Sequence, residues 1–345
     1  MSDGAVRRDT PQVSVVIPLY NKAEYILRAV RSVLAQTCRD FELIVVNDGS
    51  TDDGVNVVKS CKDRRVRLIS QRNAGPGAAR NRGLHVARAP LVTFLDADDE
   101  YSPLFLQWSL DRLAEHPRCV MSICGHFRGP RRFNMARQWR GLGVTEGPWR
   151  MPPHLPPYAV KAALDFCMSA AIVSRAGVLR RYGGFFDKAR CTWGEDLYLW
   201  LQVLLNHQVY RNPRPLVWYH TEASGLWLGR RTVHPPEPIL VRPGPLRRAC
   251  PAKYRRLLER CLAFYALEAA RRHALAGKGA AARAVLQAFP LACRSGCRSL
   301  ATRLQVLAAP VFARLPLLAR LLDLWRRAKT AILFRLRRLL REFST

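Results

Sequence analysis

The sequence predicts an α/β fold with a mainly parallel sheet, and three observations predict it. First, short apolar runs closed by turn residues recur at residues 13–18, 43–47, 66–69 and 91–95. Second, segments between these runs place apolar residues at helical spacing, as in residues 22–36 and 75–87. Third, polar residues follow several of the runs directly. Strands that alternate with helices favour a parallel sheet with helices on both faces.

The first half of the chain supplies the elements in order. Val13–Pro18 reads as a strand, and the next helix has one apolar face made of Tyr25, Ile26, Ala29, Val30, Val33 and Leu34. A second strand at 43–47 and a third at 66–69 follow, each closed by turn residues. A helix from Gly75 to Ala87 then leads into the strand at 91–95.

Several strand ends predict a shared ligand crevice. Tyr20, Asp48 and the run Asp96–Asp99 each follow a predicted strand. Ligands of open α/β sheets bind at the carboxyl ends of the strands. The three carboxylates of the run repel one another unless a positive group lies beside them, and a divalent cation that carries a phosphorylated ligand would fit. The sequence therefore predicts phosphate-linked chemistry at this edge.

Five motifs in order resemble one known family. They are Val13-Ser-Val-Val-Ile-Pro-Leu-Tyr-Asn21, Val46-Asn-Asp-Gly-Ser-Thr-Asp52, Asn73-Ala-Gly-Pro-Gly-Ala-Ala-Arg-Asn-Arg-Gly83, Asp96-Ala-Asp-Asp99 and Trp193-Gly-Glu-Asp196. Together they resemble the signatures of the family 2 inverting glycosyltransferases of the bacterial surface-glycan type, over residues 11–225. The resemblance implies a GT-A fold, a Rossmann-like nucleotide-sugar-binding domain. It also implies sugar transfer from a nucleotide diphosphate, most often a UDP-sugar, to an acceptor hydroxyl.

The resemblance implies a divalent metal, Mg²⁺ or Mn²⁺, at the acidic run. Such an ion would neutralise the leaving diphosphate. Asp98 is the first choice of ligand, Asp96 and Ala97 lie nearer the nucleotide sugar, and Asp99 assists. The structural alternative is an acidic turn that caps the following helix.

Further donor contacts are implied around the first two strand ends and the glycine-rich helix start. Asp48 would read a uracil ring while Tyr20 stacks nearby, with Pro18 at the end of the strand. Gly75 would approach the ligand closely, and Arg80 would reach a phosphate or the donor sugar. The alternatives are turn and capping chemistry for Asp48, a strand terminator at Pro18 and a solvated helix face for Arg80.

Inverting transfer needs a general base, and Glu195-Asp196 at a predicted helix start fits this role. Asp196 matches the position of the base in the family, and Glu195 would support it or contact the acceptor. A helix N-terminus lowers a carboxyl pKa, so burial in the cleft would have to offset that effect. Trp193 would stack on an acceptor sugar, or anchor the core. The alternative for the pair is a helix cap.

Other polar residues suggest structural roles. His220 is interpreted as a satisfied structural histidine after a strand at 217–219. The ten cysteines contain no Cys-x-x-Cys, which argues against structural zinc and against a disulfide scaffold. The first residues lack an apolar core, so no signal peptide is expected and the predicted location is cytoplasmic.

Composition divides the chain. Residues 1–10 are predicted to be disordered and 11–230 to form the catalytic domain, with a mobile basic insertion at 127–158 over the acceptor site. A Pro-rich linker at 231–250 precedes a helical, basic region at 251–345.

The C-terminal region predicts attachment to an anionic membrane. Residues 241–345 hold 23 Lys and Arg against 4 Asp and Glu, a surplus of 19 out of the formal +30 of the chain. The last predicted helix, within 318–343, has one apolar stripe, and no run is apolar enough to span a bilayer. Such a helix would hold the protein on the inner face of the cell membrane. Packing on the catalytic domain and pairing into a homodimer are the alternatives, and no nucleic-acid-binding motif accompanies the charge.

The sequence thus predicts a metal-dependent, inverting glycosyltransferase that uses a UDP-sugar and a glycan or lipid-linked glycan acceptor, as in bacterial surface polysaccharide or lipopolysaccharide synthesis. Two alternatives stay open. One is transfer to a polyprenyl phosphate, which needs no strong general base. The other is a non-catalytic protein that binds membranes or polyanions on the same scaffold; the intact carboxylates at 48, 96, 98, 99 and 196 argue against it.

Overall fold

The structure is a computed structural model, and it describes residues 10–223, 237–294, 302 and 304–309. The described residues divide into two compact units. The first comprises the described parts of Met1–Pro152 and Lys161–Arg230, and the second those of Pro153–Val160 and Arg231–Thr345. The predicted disordered N-terminus, apart from Thr10, and the predicted apolar stripe at 318–343 lie outside the described residues.

The first unit begins with the predicted alternation of strands and helices. Its elements are β1 Val13–Leu19, α1 Ala23–Leu34, β2 Phe41–Asn47, α2 Gly54–Ser60, β3 Val66–Ser70, α3 Pro76–Val86 and β4 Leu91–Phe94. β1 runs parallel to both β2 and β4, and β3 runs parallel to β2. The buried side chains of β1, including Val13, Val15 and Ile17, pack with Ile26 and Val30 of α1. These apolar strands form the centre of the sheet because both faces are covered.

The remaining elements extend the sheet beyond β4. They are β5 Glu100–Tyr101, α4 Phe105–Glu115, β6 Cys119–Arg128, β7 Phe133–Asn134, α5 Ala136–Gly141, β8 Gly147–Trp149, α6 Pro157–Phe166, β9 Ile172–Arg175, α7 Ala176–Arg181, α8 Glu195–Asn206 and β10 Gln208–Tyr219. The strand order is β3-β2-β1-β4-β9-β6-β10-β5. β9 is antiparallel to β4 and β6, whereas β10 is parallel to β6. The prediction of a mainly parallel α/β sheet is confirmed.

The predicted mobile insertion at 127–158 contains regular structure. It includes β7, α5 and β8, and β8 pairs with β10 at the sheet. Trp139 is buried and packs edge-on against Phe166. A large buried aromatic side chain and short strand pairings thus hold the segment without a helical or alternating sequence pattern. Its mobility and its position over the acceptor site stay predictions.

The second unit is helical in its described part. Its helices are α9 Pro238–Val241, α10 Pro243–Ala249, α11 Arg255–Leu275 and α12 Gly279–Ala288. The described part of the predicted Pro-rich linker therefore includes two short helices. Pro238 and Pro243 each begin one, where a missing N–H costs nothing. The nine cysteines in the described part of the chain are all free.

Candidate active site

The carboxyl ends of β1, β2 and β4 place the predicted donor residues on one side of the sheet. Tyr20 follows β1 and is half exposed, so its ring is open to a stacking partner. Pro18 lies inside β1 beside Val46 of β2. The acidic run begins immediately after β4, where Leu95 still hydrogen-bonds to Val16 of β1.

Asp48 holds the loop that begins α3. Its Oδ1 accepts hydrogen bonds from the Ala74 N–H (2.9 Å) and from Gln71 Nε2 (2.8 Å), and its Oδ2 accepts one from the Gly75 N–H at 2.9 Å. Gly75 has φ of +93°, a conformation that glycine adopts without strain. The carboxylate is buried and already has three donors. This geometry gives Asp48 a structural role, and its reading of a nucleobase stays a prediction.

Arg80 links the acidic run to the candidate base. The guanidinium is buried and donates to Asp96 Oδ1 at 2.6 Å and to Glu195 Oε1 at 2.8 Å. Burial opposes the charge, but Asp96 and Glu195 outweigh it and hold the pKa of Arg80 above its ordinary value. The prediction placed Arg80 at a phosphate or sugar. The structure pairs it with two carboxylates, which a charged side chain buried at this depth requires.

Asp196, the predicted general base, has a raised pKa. It lies with Glu195 in the first turn of α8, and its Oδ1 accepts a hydrogen bond from the Leu197 N–H at 2.7 Å. Burial, together with the charge of Glu195, raises the pKa of Asp196 to about 7. Arg80 is paired with Glu195. Among the residues that the structure describes, no cation forms an ion pair with Asp196. Burial thus outweighs the effect of the helix start, as a general base at this position requires.

The acidic run is partly balanced by side chains of α1. Lys22 Nζ lies 2.6 Å from Asp98 Oδ2 and also donates to the Ala223 carbonyl. Arg28 Nη2 donates to the Asp98 carbonyl at 2.7 Å. Burial and the neighbouring Asp96 still raise the pKa of Asp98, and burial with Asp96 and Asp98 raises that of Asp99 well above its usual value. Burial is the main cause of both shifts, and Lys22 and Arg28 do not offset it.

The acidic run fits a divalent cation through one or two carboxylates. Asp99 Oδ1 accepts the His220 N–H, while its Oδ2 is buried and has no hydrogen-bond partner. No three His, Cys, Asp or Glu side chains converge on one point anywhere in the described ranges. The predicted roles of Asp98 as first-choice ligand, Asp96 nearer the sugar and Asp99 as an assisting group stay predictions. Mg²⁺ usually takes one or two protein carboxylates with waters and phosphates.

His220 is satisfied on both ring nitrogens. Nδ1 lies 2.7 Å from Glu222 Oε1 and Nε2 lies 2.7 Å from Glu100 Oε1, and the ring packs on Trp218. This agrees with the structural role expected from sequence.

Sequence reasoning missed Lys22, Arg28 and Glu100, since single charges on a helix or after a turn carry no spacing signal. Trp193 is half-buried immediately before the helix start, and its contact with an acceptor stays a prediction.

Comparison with known proteins relates part of the site to a family model. Residues 14–182, just under half of the chain, match the family model described as Glycosyl transferase family 2. Those residues are therefore similar to a family 2 glycosyltransferase domain. They include the acidic run and Arg80, whereas Asp196 lies beyond the matched residues.

Relatives in sequence match about 100 residues of this chain. A glycosyltransferase from Rickettsia felis is 45% identical over 95 residues, 27% of this chain and 16% of the relative. YibD, a glycosyltransferase of Escherichia coli K12, is 45% identical over 96 residues, 27% of this chain and 28% of the relative. Chondroitin synthase of Escherichia coli is 39% identical over 111 residues, 32% of this chain and 16% of the relative. The chain thus spans less than a third of each of these proteins.

Solved structures show the shared fold. The 1–349 fragment of S. aureus TarS in complex with UDP superposes with a TM-score of 0.58 at 16% identity, covering 86% of this chain and 90% of that one. The same fragment with UDP-GlcNAc gives a TM-score of 0.57 at 18% identity, covering 88% of each chain. At this identity the likeness establishes the GT-A type of fold and nothing finer.

Proposed function

We propose that the protein is an inverting glycosyltransferase that transfers a sugar from a UDP-sugar to the hydroxyl of a glycan or lipid-linked glycan. The observation that carries the proposal is Asp196, a carboxyl group with a pKa of about 7 at the start of α8. It is joined through Glu195 and Arg80 to Asp96 of the acidic run. Base and donor carboxylates thus belong to one network of charges.

Each residue of the network has a distinct task. Asp196 accepts the proton of the acceptor hydroxyl as that oxygen attacks the anomeric carbon, a step worth about 10² to 10⁴ in rate. Arg80 fixes Glu195, which keeps a negative charge beside Asp196 and so favours its uptake of the proton. Tyr20 stacks on the uracil ring of the donor. The loop held by Asp48 and Gly75 forms the wall beside that ring.

A divalent cation, Mg²⁺ or Mn²⁺, is part of the proposal. Asp98 and Asp96 would hold it, since their carboxylate oxygens are hard ligands and lie in one turn after β4. When bound, the ion would neutralise the charge that develops on the leaving diphosphate. Lys22 would have to leave Asp98 Oδ2 for the ion to reach that oxygen.

The choice of donor and acceptor rests on the similar proteins. The TarS fragment was solved with UDP and with UDP-GlcNAc, which supports a uridine nucleotide here. Several relatives are bacterial, and one is a chondroitin synthase, which supports a polysaccharide acceptor in surface-glycan synthesis. No helix in the described ranges has the length and apolarity that a membrane span needs. Peripheral attachment on the cytoplasmic side of the membrane, through the basic C-terminal residues, is part of the proposal.

Calorimetric titration of UDP with and without Mn²⁺ tests the donor site. Wild type should bind UDP more tightly with Mn²⁺, and Asp98→Ala should lose that dependence. Asp165→Ala is the matched control, because Asp165 lies in an exposed pair with Lys161 on α6 and should bind as wild type does. Failure of UDP and of GDP to bind under either condition would overturn the proposal in favour of a non-catalytic protein.

A further inference from the structure

A cavity of about 650 Å³ lies beside the acidic run, within the first unit. One face of α1, the segment that starts at Glu100 and the ends of β6 and β10 form its wall. The volume falls within the range of about 300–1,000 Å³ that is usual for small-molecule sites. Asp96 and Asp98 do not line it, so the cavity is separate from the proposed metal and donor site.

Three arginines line this cavity: Arg28, Arg31 and Arg132. The Arg132 guanidinium lies over the Trp218 ring, 4.1 Å from its centroid, and over Phe127 at 5.4 Å. In the part of the chain that the structure describes, neither Arg31 nor Arg132 has a carboxylate or a hydrogen-bond acceptor for its side chain. Two guanidinium groups at one cavity are therefore available to an anion.

The carboxylates of the cavity do not balance these arginines. Glu100 lies 3.2 Å from Arg28 Nε and also takes a hydrogen bond from His220. Glu24 has no ion pair with an arginine among the described residues. Positive charge thus remains on the side of Arg31 and Arg132.

The backbone also favours this arrangement. Arg132 has φ of +50°, in the left-handed region that is uncommon for residues with a side chain. It follows the turn at Gly129, whose carbonyl accepts the Trp218 indole N–H at 2.9 Å. The turn is therefore tied to the same tryptophan on which the guanidinium stacks, so the positive group is held at the cavity.

We propose that this cavity binds a phosphate-bearing ligand through Arg31 and Arg132. Guanidinium groups match the oxygens of phosphate in pairs, and stacking on Trp218 orders one of them in advance. Leu27, Ala35 and Val217 give the cavity an apolar part, which accommodates the carbon skeleton that carries the phosphate. The site does not depend on the proposed glycosyl transfer.

The test is titration of the full chain with inorganic pyrophosphate, in chelator and about 150 mM salt to screen diffuse attraction. The double variant Arg31→Ser/Arg132→Ser should bind at least about tenfold more weakly than wild type. The matched control is Arg118→Ser, an exposed arginine just before the opposite end of β6. Equal binding by wild type and the double variant, or an equal loss in Arg118→Ser, would overturn the proposal.

A second arm identifies the source of the phosphate. Monomeric dihexanoyl phosphatidic acid is titrated in place of pyrophosphate. Tighter binding of this lipid than of pyrophosphate, lost in the double variant, assigns the site to a lipid headgroup. Tighter binding of pyrophosphate, lost in the same variant, assigns it to a soluble phosphate. Retained Mn²⁺-dependent UDP binding by the double variant shows that the donor site is intact, so failure here and failure of the proposed transfer are distinguished.

Discussion

The two groups of carboxylates in the crevice differ in how the chain balances their charge. In the acidic run, Lys22 reaches Asp98 from α1, and Asp96 is paired with Arg80. At the start of α8, the same Arg80 pairs with Glu195, and Asp196 has no ion pair among the residues that the structure describes. On the proposed function, the first group would exchange Lys22 for the divalent cation, whereas the second would keep Asp196 ready to accept a proton. Arg80 forms an ion pair with one carboxylate of each group.

The largest effect should come from Asp196→Asn, which removes the proton acceptor but keeps the shape of the side chain. We expect turnover to fall by about 10² to 10⁴, while UDP binding with Mn²⁺ stays as in wild type. In wild type, kcat/KM should rise with pH and level off above a pKa of about 7, because the base acts only when deprotonated. Steady-state rates between pH 5 and 9 check both points. Unchanged turnover in the variant would favour a polyprenyl-phosphate acceptor.

Arg80→Met should cause the next largest effect, on stability. The substitution leaves Asp96 and Glu195 without their cation, and breaking a buried ion pair by removing one partner costs about 3–5 kcal/mol. Arg82→Met is the control, since Arg82 lies two residues after Arg80 on α3 and is exposed. Urea unfolding of both variants measures the difference. A similarly small loss of unfolding free energy in both variants would mean that Arg80 does not join the two groups of carboxylates.

Asp196 should also limit stability, in a direction fixed by its raised pKa. The folded state holds its proton up to about pH 7, whereas the unfolded chain releases it near 3.8. The folded state therefore binds more protons in this window, and ionisation of Asp196 lowers stability as pH rises through it. Asp196→Asn should raise Tm by a few degrees at pH 8, where about 1 kcal/mol corresponds to roughly 2–4 °C, and by less at pH 5. A lower Tm at pH 8 would contradict this.

The same contrast explains what the sequence could predict. Residues 13–94 follow the periodic patterns of buried strands and helices, so their order and the crevice at the strand ends were predictable. Lys22 and Arg28 were not, because their partners lie about 70 positions away and no local pattern reports such a pair. The pairing of Arg80 with Glu195 was not predictable either, since it depends on how α3 and α8 pack; the contact of Arg80 with a phosphate or donor sugar stays a prediction.

The smallest expected effect comes from Lys22→Met, which tests whether Lys22 and the proposed cation compete for Asp98. Lys22 is partly exposed and pairs with the Asp98 oxygen that the proposed cation needs. Removing it should tighten the binding of Mn²⁺ alone several-fold, as measured by calorimetry, because the ion then has no competitor at that oxygen. Lys59→Met, on α2 and exposed, is the control. Weaker Mn²⁺ binding in Lys22→Met would mean that the lysine holds the turn in the conformation that binds the ion. The proposal that the ion replaces Lys22 at Asp98 would then be wrong.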